Sequence, residues 1–422
     1  MDALMSLVGI AVLLLIAFLF SNNKKAINFR TVFGALAIQI GIGALILYVP
    51  AGREALLKAA EGVSAVINYS NAGISFLFGG LVSDKMFEVF GGGGFVFALR
   101  VLPPIIFFSA LISVLYYLGV MQFVIRILGG ALQKVLGTSK PESMSAAANI
   151  FVGQTEAPLL VRPYIKSMTN SELFAVMCGG VASVAGAVMI SYAGMGVPLT
   201  YLIAASFMAA PGGLLFAKIL HPQTESFKDE LAEDDIEDKP SNVIEAAAVG
   251  TFSGMQLAMN VGAMLISFVA LIAMLNGLIG WLGGLAGFEG VTLQSLFGYV
   301  FQPLAWVIGV PWGAEAQVAG SLIGQKLVIN EFVAYVDFVN YLKPESTVVL
   351  SEKTIAIVTF ALCGFANFSS IAILIGGLGA MAPNRRSDVA RMGLKAVLAG
   401  SLSNFMSAAI AGLFIGIGGA VL

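Results

Sequence analysis

The chain is poor in the side chains on which most soluble enzymes rely. Its 422 residues include one histidine, His221, and two cysteines, Cys178 and Cys363. A lone histidine at the start of a charged segment excludes histidine-based catalytic triads and di-histidine metal motifs. Two cysteines inside apolar stretches make neither a disulfide framework nor a zinc site of ordinary ligand spacing, and they read as core thiols. Charge is scarce as well: 11% of the residues carry it and the net charge is -2, with no long basic tract. Nothing here neutralises a nucleic-acid backbone, so DNA and RNA are excluded as partners.

What the chain has in quantity is apolar surface. It is 58% hydrophobic with a mean hydropathy of +0.93, arranged in runs of about 20 residues, the length that crosses a bilayer. The expected fold is an all-α polytopic membrane protein of about eight transmembrane helices, two re-entrant helical hairpins and one interfacial helix. Residues 1–20 lack the positive n-region of a secretory signal and read as a retained first span. Lys24, Lys25 and Arg30 then place the first loop in the cytoplasm and the N-terminus outside. A second span covers 31–50, and residues 51–70, with Arg53, Glu54, Lys58 and Glu61 at helical spacing, read as an interfacial or a solvated linker helix. Gly91 to Gly94 reads as a hinge or a close-packing site before a span over 95–120. A hairpin entering and leaving on one side is expected over 121–166. Spans at 171–196, interrupted by Gly179-Gly180 and Ser183, and at 198–220 complete the first half.

His221 opens an aqueous segment to residue 242, rich in Asp and Glu but without calcium-loop spacing, which reads as a solvated cytoplasmic linker. The second half holds spans at 243–275, 352–380 and 393–420 around a mixed region reaching about residue 340. The resulting division is 1–120 as spans and interfacial helix, 121–220 as a hairpin with its broken span, 221–242 as linker, 243–290 as a long span of the second half and 291–422 as a second hairpin with its broken span and a last span. Arg385, Arg386, Arg391 and Lys395 point the last loop to the cytoplasm, so both termini are expected outside.

One short stretch organises this plan: Asn149-Ile150-Phe151-Val152-Gly153-Gln154-Thr155-Glu156-Ala157-Pro158. A carboxylate at membrane depth costs a few kcal/mol and so faces a cavity, a partner or a ligand. Gly and Pro beside it break the helix, which is tolerated only where protein or a cavity satisfies the backbone. The stretch reads either as the tip of a re-entrant hairpin lining a site or as a surface loop between spans. Faint landmarks recur in order after the linker: Gly153-Gln154 with Gly324-Gln325, Glu156 with Glu331, Ser171-Glu172 with Ser351-Glu352, Cys178-Gly179 with Cys363-Gly364. Their common order suggests inverted repeats, which place substrate and ion sites at the repeat interface near the midplane. The repeat nominates Glu331, and Phe365, Asn367 and Ser370 in a second broken span, as partners of the first tip. Each has a plainer role open to it: Glu331 in an ion pair with Lys326 or Lys343, Asn367 and Ser370 in interhelical hydrogen bonds, Phe365 in packing, Glu315 at the outer water boundary.

The polar groups gathered this way are acceptors (Glu156, Glu331), mixed donor-acceptors (Gln154, Thr155, Asn367, Ser370) and one aromatic face, with no Arg or Lys. They suit a neutral ligand with several hydroxyls and amides, since a carboxylate accepts adjacent hydroxyls in strong charge-assisted bonds. Carbonyls freed at broken helices, with the Ser183 hydroxyl, suit a monovalent cation such as sodium. An intramembrane enzyme using Glu156 and Glu331 as acid and base lacks a nucleophile, a histidine or a metal cluster, and a passive channel would never concentrate its substrate.

At these residues the sequence resembles the concentrative nucleoside transporter family, over nearly the whole chain. The motifs are Gly153-Gln154-Thr155-Glu156-Ala157-Pro158, Asn330-Glu331-Phe332-Val333-Ala334-Tyr335 and Cys363-Gly364-Phe365-Ala366-Asn367, supported by FVFALRVLPPIIFF over 95–108; the length is similar to that of bacterial members. The resemblance implies a nucleoside symporter of the bacterial inner membrane and a homotrimer whose transport domains move in elevator fashion. It implies that Gln154, Thr155, Glu156 and Val188 face the nucleobase and that Glu331, Asn367 and Ser370 face the ribose, with Phe365 beside them. It implies a sodium site of backbone carbonyls from Asn149, Val152, Ser183 and Val184 plus the Ser183 hydroxyl. Some bacterial relatives use protons instead.

Overall fold

The computed structural model describes residues 2–90, 95–227, 240–288, 290–346 and 348–418. The glycine run at 91–94 and most of the acidic linker, Asp229, Glu230, Glu233, Asp234, Asp235, Glu237 and Asp238, lie outside the described residues. Among the described residues the elements are all helices, and seven helical stretches are long and apolar enough to cross a membrane.

α1 (Asp2–Leu19) and α2 (Phe29–Leu47) coincide with the first two expected spans. The Asn28 side chain caps α2 by accepting the amides of Arg30 (3.0 Å) and Thr31 (3.4 Å). α3 (Pro50–Phe78) is longer than the short helix expected over 51–70. Pro50 opens it, the helix runs on through Gly62 and Gly73, and Gly79, with a φ of +54°, ends it. α4 (Lys85–Phe90), α5 (Phe97–Arg100) and α6 (Leu102–Tyr117) follow, with Pro103 and Pro104 in the first turn of α6, where the missing N–H is harmless.

The segment over 121–166 holds more than the two arms expected of a hairpin: α7 (Val120–Leu136) is an amphipathic helix packed on α8 (Lys140–Ala148), and α8 packs in turn against the turn Ala157–Val161 that leads into α9 (Arg162–Ile165). α10 (Asn170–Ala182) and α11 (Gly186–Gly194) are the halves of a broken helix. The chain leaves helical geometry at residues 183–185, at the Ser183 expected to interrupt the span, whereas Gly179 and Gly180, the other expected interruption, lie inside α10. A glycine in a helix costs only about 1 kcal/mol, so it does not by itself force a break. α12 (Leu199–Leu220) runs through Pro211 without interruption.

The second half begins with α13 (Val243–Leu285), whose 43 residues span roughly 65 Å at ~1.5 Å per residue, well beyond a single crossing. The mixed region to residue 340 resolves into α14 (Leu293–Val307), α15 (Ala314–Val328) and α16 (Glu331–Tyr341). A second broken helix, α17 (Glu352–Leu362) and α18 (Ser369–Met381), and the closing span α19 (Arg386–Gly418) follow.

Both halves follow one order: two successive helices (α6 and α7, α13 and α14), a helix pair (α8 and α9, α15 and α16), a broken helix (α10–α11, α17–α18) and a closing span (α12, α19). The residue landmarks do not keep register. Gln325 lies inside α15, bonded to Asp337 (2.7 Å), and Cys178 lies inside α10 whereas Cys363 lies at a break. The two pairs are tied at different ends of the bundle. Arg385, ahead of α19, donates to the carbonyl of Met168 and to Asn170 (2.9 Å) at the start of α10. Glu315, at the start of α15, accepts from the Ser351 amide (3.0 Å) and hydroxyl (2.7 Å) at the start of α17. Glu315 is therefore a tie between helices, beyond the boundary role expected for it.

The interior is built by α10, α12, α17 and α19, where Phe174, Tyr201, Phe216 and Phe360 are fully buried. α1 packs on α19 and α2 on α12, whereas α6 runs along α13. That second seam is close because its residues are small: a Cβ on Gly254 would lie 2.8 Å from the Ile106 Cα, and the Ser113 hydroxyl donates to the Ala246 carbonyl (2.7 Å). Packing thus separates α1 and α2 from α6 within residues 1–120.

Candidate functional site

The first tip is held from below by a buried ion pair. Ser139 and Glu142 form a capping box at the start of α8, and the Glu142 carboxylate meets the Lys218 ammonium of α12 at 2.6 Å, both side chains almost fully buried. α8 ends at Asn149, and residues 149–156 are irregular. The Gly153 amide donates to Glu156 Oε2 (2.9 Å), curling the tip over its own carboxylate. Gln154 approaches α10 where Gly180 leaves room, since a Cβ there would fall 2.9 Å from the Gln154 Cβ. Gln154 is buried and its Nε2 donates to Ser370 Oγ (3.4 Å), while Thr155 and Glu156 are exposed.

The second tip is shorter, only Ile329 and Asn330. The Asn330 side chain accepts the Val333 amide (2.9 Å) and caps α16, whose first residue is Glu331. A carboxylate in the first turn of a helix is favoured by the unpaired amides and the positive end of the dipole. Glu331, 5% exposed, accepts from Asn367 Nδ2 through Oε2 (2.9 Å) and from the Tyr192 hydroxyl through Oε1 (3.2 Å). The Asn367 Oδ1 in turn accepts the Ser370 amide (2.9 Å) and the Ser369 hydroxyl (2.6 Å), and the Ser370 hydroxyl donates to the Phe365 carbonyl. The alternative ion pairs of Glu331 do not form: Lys326 donates elsewhere and Lys343 to Asn340 (2.9 Å).

The two breaks touch each other. The Phe365 amide donates to the Ser183 carbonyl (3.1 Å), and the Gly186 amide to the Phe151 carbonyl (3.0 Å), so these two amides are satisfied by the other half and by the first tip. The Ser183 hydroxyl donates to the Gly179 carbonyl (3.0 Å). Asn149 donates through Nδ2 to the Ser145 carbonyl (2.9 Å), while its Oδ1 is buried with no partner. Asn149, Val152, Ser183 and Val184 are all buried. Neutral oxygens around an unmatched buried acceptor fit a hard monovalent cation in their chemistry.

Of the residues expected at the site, the structure joins Gln154 to Ser370, Asn367 to Glu331 and Ser183 to Phe365, and sets Glu156 and the Phe365 ring around Gly153. Thr155 lies against Gly377 of α18, and Val188 is buried on α11 without a hydrogen bond to this network. Sequence reasoning missed Tyr192, whose ring stacks on Tyr335 (centroids 4.2 Å) and touches Phe332 (5.2 Å). Its signal was a tyrosine in the apolar run just after the break, where a buried phenol needs a partner. Asn404 on α19 was missed likewise.

Broken helices and helix-pair tips that converge on buried polar groups inside a polytopic bundle define a secondary transporter. Comparison with known proteins identifies which kind. Residues 8–81 match the N-terminal and residues 201–412 the C-terminal domain of the Na+ dependent nucleoside transporters, and residues 98–199 match a nucleoside recognition domain. The chain is similar to the nucleoside permease NupC of Helicobacter pylori, 58% identical over 99% of both chains. It is 38% identical to the sodium/nucleoside cotransporter 1 of Mus musculus, covering 98% of this chain and 64% of that one. A structure of CNTnw in an inward-facing substrate-bound state superimposes with a TM-score of 0.96 at 67% identity, covering 100% and 99% of the two chains. The chain belongs to the concentrative nucleoside transporter family, as a bacterial member. It is a multi-pass membrane transporter and not an enzyme.

Proposed function

We propose that the protein imports nucleosides across the bacterial inner membrane by sodium symport. The observation that carries this reading is the Glu331 carboxylate, buried, at a helix N-terminus and already engaged by Asn367 and Tyr192, a few residues of packing away from an all-oxygen break at Ser183. A ribose presents two adjacent hydroxyls, which a carboxylate accepts in charge-assisted bonds. Glu331, Asn367 and Ser370 take the ribose, while Gln154, Thr155, Glu156 and Val188 take the base, Phe365 packing beside them. Sodium, when bound, supplies a charge that ties the first tip to the broken helix. Asn149, Val152, Ser183 and Val184 hold it, so that ion and nucleoside order the same tip.

Transport follows an elevator movement of a homotrimer. The α6–α13 seam, with the exposed apolar face of α13 at Phe252 (76%) and Ile266 (77%), supports a static part that meets lipid and neighbouring copies. The moving part comprises 121–220 and 291–422 and, from their packing, α1 and α2 as well. Residues 221–242 link the halves on the cytoplasmic side, where Lys24, Lys25, Arg385, Arg391 and Lys395 gather, and both termini lie outside.

The test is uptake of labelled uridine into proteoliposomes holding the purified protein, under an inward sodium gradient and a matched potassium control. Accumulation above the outside concentration only with sodium is expected. Accumulation driven equally by a proton gradient in potassium would assign coupling to protons, and equilibration without accumulation would make the protein a passive channel.

A further inference from the structure

The second break contains a charge that the transport reading leaves unused. Lys326, on α15, is fully buried, yet among the described residues no carboxylate forms a close ion pair with its ammonium, Glu331 acting on it only at longer range: it donates to the Ala361 carbonyl (2.7 Å) and to Asn404 Oδ1 (2.6 Å), with the Phe405 ring 5.9 Å away. Removing an ammonium from water without an ionic partner is costly unless every proton meets a well-placed acceptor. Those acceptors exist because the helix is broken. In a continuous helix the Ala361 carbonyl would take the Phe365 amide, which here turns to Ser183. The carbonyls of Cys363 (2.9 Å) and of Ala182 (2.6 Å), the latter at the end of α10, are both taken by Asn404 Nδ2. Asn404 therefore spans the two breaks and passes their polarity on to Lys326. Among the described residues no cationic side chain is bonded at the corresponding place in the first half, beside Ser183: the buried ammonium of that half, Lys218, is spent on Glu142.

We propose that the Lys326 ammonium is a resident cation at the second helix break, filling in that half the role that an exchangeable cation fills at the first. The inference rests on the cation site proposed above for the first half. Lys326 is a positioning residue: it holds the pair bearing Glu331 to α17 at all stages, and it leaves one exchangeable cation per protomer instead of two.

The experiment compares wild type, Lys326→Gln and Lys326→Ala in proteoliposomes, with thermal melting of the detergent-purified proteins to establish folding. Lys326→Gln removes the charge while keeping two N–H donors on a side chain one atom shorter; uridine uptake is expected to fall at least about tenfold, as for loss of a charged hydrogen bond. In Lys326→Ala the emptied carbonyls admit a second sodium, so the sodium dependence of uptake steepens from a Hill slope near one toward two. Propylammonium, which replaces the missing side-chain atoms, returns the slope toward one, and propanol does not. Reduced uptake with an unchanged slope in Lys326→Ala would reduce Lys326 to a packing residue and overturn the proposal. Wild-type uptake by Lys326→Gln would overturn it even where Lys326→Ala does not fold. The Lys326→Gln comparison is run under whichever gradient drives wild-type uptake, so absence of sodium coupling in wild type defeats the first-half reading without being mistaken for this result.

Discussion

The two tips differ more than the repeat suggests. The first is eight residues of irregular backbone, 149–156, with its polar side chains Thr155 and Glu156 exposed. The second is two residues, with Glu331 already fixed as the opening residue of α16. One half therefore offers the backbone oxygens of an irregular loop and the other a fixed carboxylate. On the proposed reading a duplicated plan has diverged into two roles, with adaptable ion and base contacts on one side and a rigid ribose clamp on the other.

Breaking the clamp has the largest expected effect. Glu331→Gln removes the charge from two hydrogen bonds worth roughly 1.5–3 kcal/mol each, so kcat/KM for nucleoside uptake falls at least about 100-fold with the sodium titration unchanged. A normal nucleoside affinity and rate in this variant would remove Glu331 from the site. Next comes the adaptable side. Ser183→Ala is expected to raise the sodium concentration for half-maximal uptake about tenfold, in the range for disturbing an ion site, with little change in nucleoside KM at saturating sodium. The reverse pattern would show that the division between halves is wrong.

Tyr192→Phe sharpens the comparison, because this phenol is the one contact made by the first half to the carboxylate of the second among the described residues. Loss of a single bond near 1 kcal/mol predicts a drop of roughly five-fold in uptake, and Glu331→Gln combined with Tyr192→Phe is no worse than Glu331→Gln alone. Smallest is Lys58→Ala on α3. Its pair with Glu54 is 2.7 Å long but both side chains are more than half exposed, so uptake and melting temperature stay at wild-type values.

Element type was legible throughout, because long apolar runs have few other solutions in a bilayer. The carboxylates were legible for the same reason: Glu156 and Glu331 stand out against an apolar background. Boundaries were not. Gly179-Gly180 looked like a break and proved to be a place of close approach, since what ends α10 is a set of distant partners, Phe365 and Asn404, that no local pattern reveals. Gln325 echoed Gln154 in the chain but lies inside a helix, so short repeated words gave order without register. Tyr192 and Asn404 were hidden because one Tyr or Asn in an apolar run looks the same whether it serves packing or a network.

The bonds of Glu331 bear on the half of the cycle in which nothing is carried. A bare carboxylate would drag a shell of water with it on the way back, or stay behind. On the proposed reading Asn367 and Tyr192, which donate to this carboxylate, take the place of the ribose hydroxyls, and Glu331 makes the return journey dressed by the protein's own side chains.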